Sequence, residues 1–295
     1  MTTPQRLLFF LAIFCVASFK LSFSLALTWA KRGFSFSSWG LMGPPGFFQN
    51  SGELAIQMAV FWPVALGVAI ALKPYISVWK YRVLMLMPVT AGMVILGASS
   101  RGGQLALAIQ VLMRFYRQIF RFKVLVGVVA VVTLGWTFLP DEQKQRFSES
   151  GSDKTSQQRL LYWENGYEML NDYPMTGVGY FNFRPYFTDY YPEDMLYPHA
   201  ELAHNIFIQV AADLGYPGLV IYVCLILSCL LMMSNLIKRM LQREAALPLL
   251  PIIQGFNISF VGFLVAGQFV SVVYYPFMWV HLALSAAVYN IFWEK

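Results

Sequence analysis

The sequence predicts an all-α integral membrane protein, and three observations carry that prediction. Of its 295 residues, 58% are hydrophobic and only 12% are charged. Soluble domains carry roughly 25% charged residues, so the chain has too little polar surface to cover two soluble cores. Mean hydropathy is +0.55, and the apolar residues gather in runs near the ~20 residues a spanning helix needs. Finally, the net charge of +6 is not one basic face, because the Lys and Arg residues sit in short turns between those runs. A nucleic-acid partner is therefore not expected, whereas membrane lipid is. An aromatic content of 17% also excludes a disordered chain.

In chain order, spans are expected at about 6–28, 54–72, 83–99, 101–120, 123–139, 215–235, 247–270 and 276–293. That makes about eight transmembrane helices with one large extracytoplasmic loop. Arg6 ahead of an apolar stretch imitates a signal peptide. No A-x-A-like site leads into a soluble chain, so this is read as a retained first helix. Lys20 interrupts it, and a shorter helix ending near Phe19 also fits if residues 20–53 form an outer loop. Lys73, Lys80 and Arg82 mark one turn, Arg114, Arg117, Arg121 and Lys123 a second, and Lys238, Arg239 and Arg243 a third. With an even number of spans, all three turns share a side with both termini, and positive charge makes that side cytoplasmic. Three regions are expected: N-terminal spans over 1–139, an extracytoplasmic loop with an interfacial helix over 140–214, and C-terminal spans over 215–295.

Residues 140–203 hold 11 of the chain's 15 carboxylates against five Lys or Arg, so the outer loop is acidic. A loop of this size is usually functional or disordered, and its many Tyr, Phe and Trp residues are too aromatic for disorder. Residues 200–235 as one helix would run about 54 Å, too long for a bilayer. Gly215-Tyr216-Pro217-Gly218 supplies a break, because proline removes a helical hydrogen bond. Before it, Glu201, Asn205, Gln209 and Asp213 recur every four residues, which predicts an amphipathic helix over 199–213. Cys15, Cys224 and Cys229 lie in apolar runs and read as small packing residues rather than a disulfide framework.

Few residues are placed to do chemistry. Arg101 follows Ser99-Ser100 and precedes Gly102-Gly103 at the outer end of a hairpin. Its five donors suit a diphosphate, and its small neighbours let a bulky anion approach; a snorkelling interfacial arginine is the competing reading. His204, beside Asn205, reads as a base at neutral pH, since imidazole is the side chain suited to that role, or else as a packing residue. His199 is a weaker competitor, and His281 reads as packing in the last span. Arg159, Trp163, Gly166 and Leu170 are spaced for a short helix stopped by Pro174. Gly177-x-Gly179 does not follow a strand and open a helix, so a dinucleotide site is excluded. The loop's Trp and Tyr side chains read equally as platforms for sugar rings or as an interfacial belt. No D-x-D, H-E-x-x-H, P-loop or Gly-x-Ser-x-Gly occurs. Phosphate charge is thus expected to meet arginine, with no metal and no cofactor.

With these residues assembled, the chain resembles the O-antigen ligase and polymerase family of bacterial envelope glycosyltransferases. Four stretches carry the resemblance in order: Gly46-Phe47-Phe48-Gln49-Asn50 to Leu54-Ala55, Ser100-Arg101-Gly102-Gly103, the run from Arg159 and Trp163 through Pro174, Gly177-Val178-Gly179 and Asn182-Phe183, and His204-Asn205 with Gly215. Asn50-Ser51-Gly52 stands where many relatives have an Asn-Pro-Asn-like sequence. The spans are fewer than family members usually have, so a member short at its N-terminus is expected.

The resemblance implies a metal-independent enzyme of the bacterial cytoplasmic membrane, with both termini cytoplasmic and its active site facing the periplasm. Its donor would be an undecaprenyl-diphosphate-linked glycan, and its acceptor a hydroxyl of lipid A core, another glycan or a protein. By position, Arg101 and Arg159 would hold the diphosphate and His204 would be the base or the group that positions the acceptor. Asn205, Ser100, Trp163, Tyr180 and Asn182, in or beside the same motifs, are the expected substrate contacts. Direct displacement by the acceptor would invert the anomeric carbon. A polytopic transporter and a non-catalytic component of envelope polysaccharide assembly are the alternatives.

Overall fold

The computed structural model describes residues 3–36, 40–48, 50–119, 121, 151–242 and 248–293, with single positions at 126, 133, 137, 144 and 148. Nine α-helices are described: α1 (Pro4–Lys31), α2 (Ser51–Leu72), α3 (Val78–Gly97), α4 (Arg101–Ile119), α5 (Lys154–Asp172), α6 (Phe183–Tyr190), α7 (Ile206–Leu241), α8 (Leu250–Ala266) and α9 (Pro276–Trp293). No strand occurs among the described residues. Among the described residues, five helical stretches are long and apolar enough to cross a membrane: Pro4–Lys31, Ser51–Tyr75, Val78–Gly97, Ile206–Leu241 and Leu250–Phe269. They coincide with five of the expected spans. The spans expected at 101–120 and 276–293 are helices of 19 and 18 residues but are not among those five. The span at 123–139 falls outside the described residues, single positions aside.

The chain divides into two compact units. One comprises Met1–Arg114, Ile226–Ala266 and Tyr274–Lys295, and the other Phe115–Leu225 and Gly267–Val273. In the first unit α1 runs unbroken for 28 residues through an exposed Lys20, so the shorter helix ending near Phe19 does not form. Thr3 caps it with Pro4 in the first turn, where a missing N–H costs nothing. Cys15 and Cys229 are buried as packing residues, whereas Cys224 is exposed, against expectation.

The centre of this unit is α2, which is apolar all round and packs against α3 and α8. Pro63 interrupts its hydrogen-bond ladder and leaves the Ala59 carbonyl without a helical donor. Gln110 from α4 replaces that donor: its Nε2 donates to Ala59 O at 2.8 Å and to Ile258 O at 3.1 Å. Its Oε1 accepts from Trp62 Nε1 at 2.6 Å, and Ser259 Oγ donates to Val60 O at 2.6 Å. Backbone groups freed by a membrane proline must find such partners on neighbouring helices. Gly262 makes room for the Gln110 amide, and a Cβ at Gly255 would stand 2.5 Å from Pro63 O, so glycines permit the close α2–α8 crossing. His281 is buried as expected, with Nε2 at 3.0 Å from Phe256 O and its ring stacked on Phe260.

In the second unit α5 and α6 enclose a core of Tyr162, Met169, Phe183, Phe187, Ala200, Ala203 and Ala212. The expected break in α7 falls where the sequence placed it, at Gly215 (φ 66°, ψ −171°). Pro217 has no N–H for Asp213 O, and the Tyr216 N–H turns away to donate to Pro174 O at 2.8 Å. The orphaned carbonyls are taken up by the strap after α5. Val178 N donates to Ala212 O at 2.8 Å and Gly179 N to Asp213 O at 3.1 Å. Gly177 (φ 63°) lets the strap lie directly on the break. The start of this helix differs from expectation. It begins at Ile206 rather than near 199, because Asn205 acts as its cap: Asn205 Oδ1 accepts from Phe207 N at 2.9 Å and Ile208 N at 3.3 Å. Glu201 and Asn205 therefore do not share a helical stripe with Gln209 and Asp213.

Candidate functional site

In the second unit the site is built outward from α5. Asp153 caps this helix, and its buried face carries Gln158, Tyr162, Asn165, Gly166, Met169 and Leu170. Gly166 is needed there, since a Cβ would come within 2.5 Å of Ile208 Cγ2. Two side chains of α5 grip the backbone ahead of α7. The Tyr162 hydroxyl accepts from Glu201 N at 2.8 Å, and Trp163 Nε1 donates to Ala203 O at 2.9 Å. Burial pushes the Tyr162 hydroxyl above its ordinary pKa, so it stays protonated at neutral pH.

The segment held in this way presents His204. Its backbone is left-handed (φ 51°), a conformation uncommon outside glycine. Its N–H donates to Ser271 Oγ at 2.7 Å, which fixes the turn from the 267–273 segment. The imidazole Nε2 lies 2.7 Å from Glu201 Oε2, with 17% of the histidine side chain and 68% of the glutamate side chain exposed. Glu201 is held below the ordinary carboxylate pKa, chiefly by that hydrogen bond, with the positive charges of Arg159 and Arg184 adding to it. A carboxylate on Nε2 favours the tautomer with its proton there and leaves Nδ1 as an acceptor. This is the arrangement of an oriented general base.

The structure thus pairs His204 with Glu201, whose charge is further favoured by Arg159, half-buried on α5. Asn205 is buried beside them, and its Nδ2 donates to Gln268 Oε1 at 3.2 Å, so its side chain is occupied by capping and anchoring. Trp163 is partly buried against the core rather than a fully exposed platform. Tyr180 is exposed (66%), while Asn182, also exposed, turns its Nδ2 back to Val178 O at 2.8 Å. His199 is exposed and apart from this hydrogen-bonded group.

Arg101 and Ser100 belong to the first unit. Ser100 caps α4, its Oγ accepting from Gly103 N at 3.3 Å, which sets the half-buried Arg101 as the first residue of a 19-residue helix. Positive charge and the first-turn N–H groups coincide there, an arrangement that favours anions. The same unit holds a residue that the sequence reading missed. Glu53 is buried (4%), with Oε2 accepting from Asn50 N at 3.1 Å and Oε1 accepting from the Tyr275 hydroxyl at 3.0 Å. The Asn50–Glu53 spacing was a legible capping signal, and Tyr275 was not. Ser271 and Gln268 were missed for the same reason, since each reaches its partner from more than 60 residues away. Among the described residues no group of three or more His, Cys, Asp or Glu is placed to hold a metal ion.

The model of the O-antigen ligase family matches residues 86–223, a stretch that contains every one of these candidate residues except Glu53, Gln268, Ser271 and Tyr275. No curated protein matches the chain.

Proposed function

From the match of residues 86–223 to the O-antigen ligase family model, we propose that this chain is a membrane glycosyltransferase of the O-antigen ligase and polymerase type. The donor is a glycan on an undecaprenyl-diphosphate carrier, and the acceptor is a hydroxyl of lipid A core, another glycan or a protein. The acceptor oxygen attacks the anomeric carbon and forms the new glycosidic bond. The carbon–oxygen bond to the diphosphate breaks, and the diphosphate leaves with its electron pair. One displacement inverts the anomeric centre.

The observation that carries this reading is the Glu201–His204 pair at 2.7 Å, beside Arg159. Glu201 keeps the Nε2 proton in place, and Nδ1 takes the proton of the attacking hydroxyl. A diphosphate leaves readily once its developing charge meets fixed positive charge, and Arg159 supplies it. Arg101, in the first unit, is a separate candidate for phosphate charge on its own motif and its place at the start of α4. Arginine in both roles makes the reaction metal-independent.

In this reading the bacterial cytoplasmic membrane is crossed about eight times, with both termini cytoplasmic and His204 facing the periplasm. The test is glycan transfer by the purified chain from a lipid-diphosphate-linked donor. His204→Ala and Arg159→Ala should abolish transfer while the protein still accumulates in the membrane. Transfer at the unmodified rate in both variants would refute the assignment.

A further inference from the structure

A second feature of the loop unit lies away from His204. The C-terminal end of α5 and the short helix α6 share a face that carries Glu168, Asp172, Tyr173, Tyr186, Tyr190 and Tyr191. Tyr186 and Tyr190, one helical turn apart, stack at 4.3 Å between ring centroids with 25° between planes. Tyr173 meets Tyr186 edge to face at 5.8 Å between ring centroids. Stacking covers one side of the Tyr190 ring, yet 63% of that residue is exposed, so its other side is open to solvent. Burial raises the Tyr191 pKa, and the charges of Glu168 and Asp172, both exposed on the last turns of α5, add to it; Asp189 is exposed beside Tyr190.

This is a surface made for hydroxyl-rich rings. Flat aromatic faces accept the C–H faces of pyranoses, and carboxylates at their rim accept hydrogen bonds from sugar hydroxyls. The exposed carboxylates disfavour two other occupants. An anionic bilayer surface would be repelled, and so would a glycan of uronic acids. Its position selects the source. Arg159 and Asp172 lie on the same helix, about 20 Å apart at 1.5 Å per residue. A glycan whose diphosphate is held at Arg159 has its sugars on that scale of distance. Ring-to-ring steps of 6.4, 4.8 and 5.6 Å also join His204 through Tyr162 and Phe187 to Tyr191.

We propose that the Tyr173–Tyr186–Tyr190 face is a subsite for the donor glycan, binding uncharged or amino-bearing sugars remote from the diphosphate and rejecting acidic ones. The subsite rests on the glycosyltransferase reading above, and the test separates the two. The probe is the host's own lipid-linked glycan, released from its diphosphate by mild acid. Its binding to the full-length chain in detergent is measured by saturation-transfer NMR. Tyr190→Ala should weaken binding about two- to tenfold, the worth of one aromatic stack, and Tyr190→Trp should restore it. Arg159→Ala should leave this binding unchanged, because the probe carries no phosphate. Combined Asp172→Asn and Asp189→Asn should raise the weak affinity for an alginate hexasaccharide used as an acidic control. With the intact donor, Tyr190→Ala should raise KM and spare kcat. Equal binding by Tyr190→Ala and the unmodified chain would overturn the proposal, as would absence of binding by the released glycan. Binding that persists in a chain unable to transfer would sink the catalytic reading and leave the subsite standing.

Discussion

Replacing Gly177 by alanine tests whether the strap after α5 is what makes the break in α7 possible. Gly177 has φ 63°, and a left-handed backbone costs a residue with a Cβ about 1–2 kcal/mol. The new methyl group would also press on the Asp213 carbonyl carbon and stand 2.5 Å from both Ala212 O and Leu214 N. These are backbone atoms that cannot rotate away, so the strap must lift. Lifting removes the Val178-to-Ala212 and Gly179-to-Asp213 hydrogen bonds, at about 1 kcal/mol each, more where the carbonyl stays buried. The local loss is about 4 kcal/mol, equivalent to roughly a thousandfold in the opening equilibrium. Hydrogen exchange followed by mass spectrometry on the detergent-solubilised chain reads this at the Val178, Gly179 and Tyr216 amides. Gly92→Ala is the control, since a Cβ there meets nothing within 4 Å. Exchange within threefold of the unmodified chain at all three amides would refute the reasoning.

Other outcomes follow from the same contacts. Glu201→Gln should slow transfer about fivefold; a charge-assisted bond is worth more, but this carboxylate is largely exposed and screened. Because Glu201 titrates below its ordinary value of 4.5, its stabilisation is complete above that pH. It is lost as pH falls through the lower folded pKa, so thermal unfolding in detergent should show an acid limb that Glu201→Gln lacks. Ser271→Ala removes the hydrogen bond that holds the left-handed His204 turn, and should lower kcat severalfold with little change in donor KM. Gln110→Ala strands the Ala59 carbonyl and the Trp62 indole N–H in the first unit, at a cost of about 2–5 kcal/mol in thermal unfolding.

What was legible in the sequence was whatever one segment determines by itself. Pro217 cannot donate to Asp213, so the break at Gly215 was readable from composition alone, as was the stop of α5 before Pro174. The polar recurrence at Glu201, Asn205, Gln209 and Asp213 misled about the helix start. Periodicity does not distinguish a residue on a helical face from one that caps the helix, and Asn205 is the cap. Gly177-x-Gly179 read only as a failed dinucleotide pattern, because the carbonyls of Ala212 and Asp213 that take the Val178 and Gly179 N–H groups lie more than 30 residues on. For the same reason Arg159 and His204 were identifiable by type, whereas the Ser271 contact that sets the His204 backbone and the Tyr275 contact to Glu53 were not. Residue chemistry is written locally, but the orientation of a side chain is decided by whatever packs across from it.

The most direct measurement is the rate of glycan transfer from an undecaprenyl-diphosphate-linked donor by the purified chain, with and without chelator. The unmodified chain should transfer at the same rate in EDTA, with inversion at the anomeric carbon, and His204→Ala should bring the rate to background. Loss of activity on chelation, or full activity in His204→Ala, would contradict an account that rests on arginine and an oriented histidine.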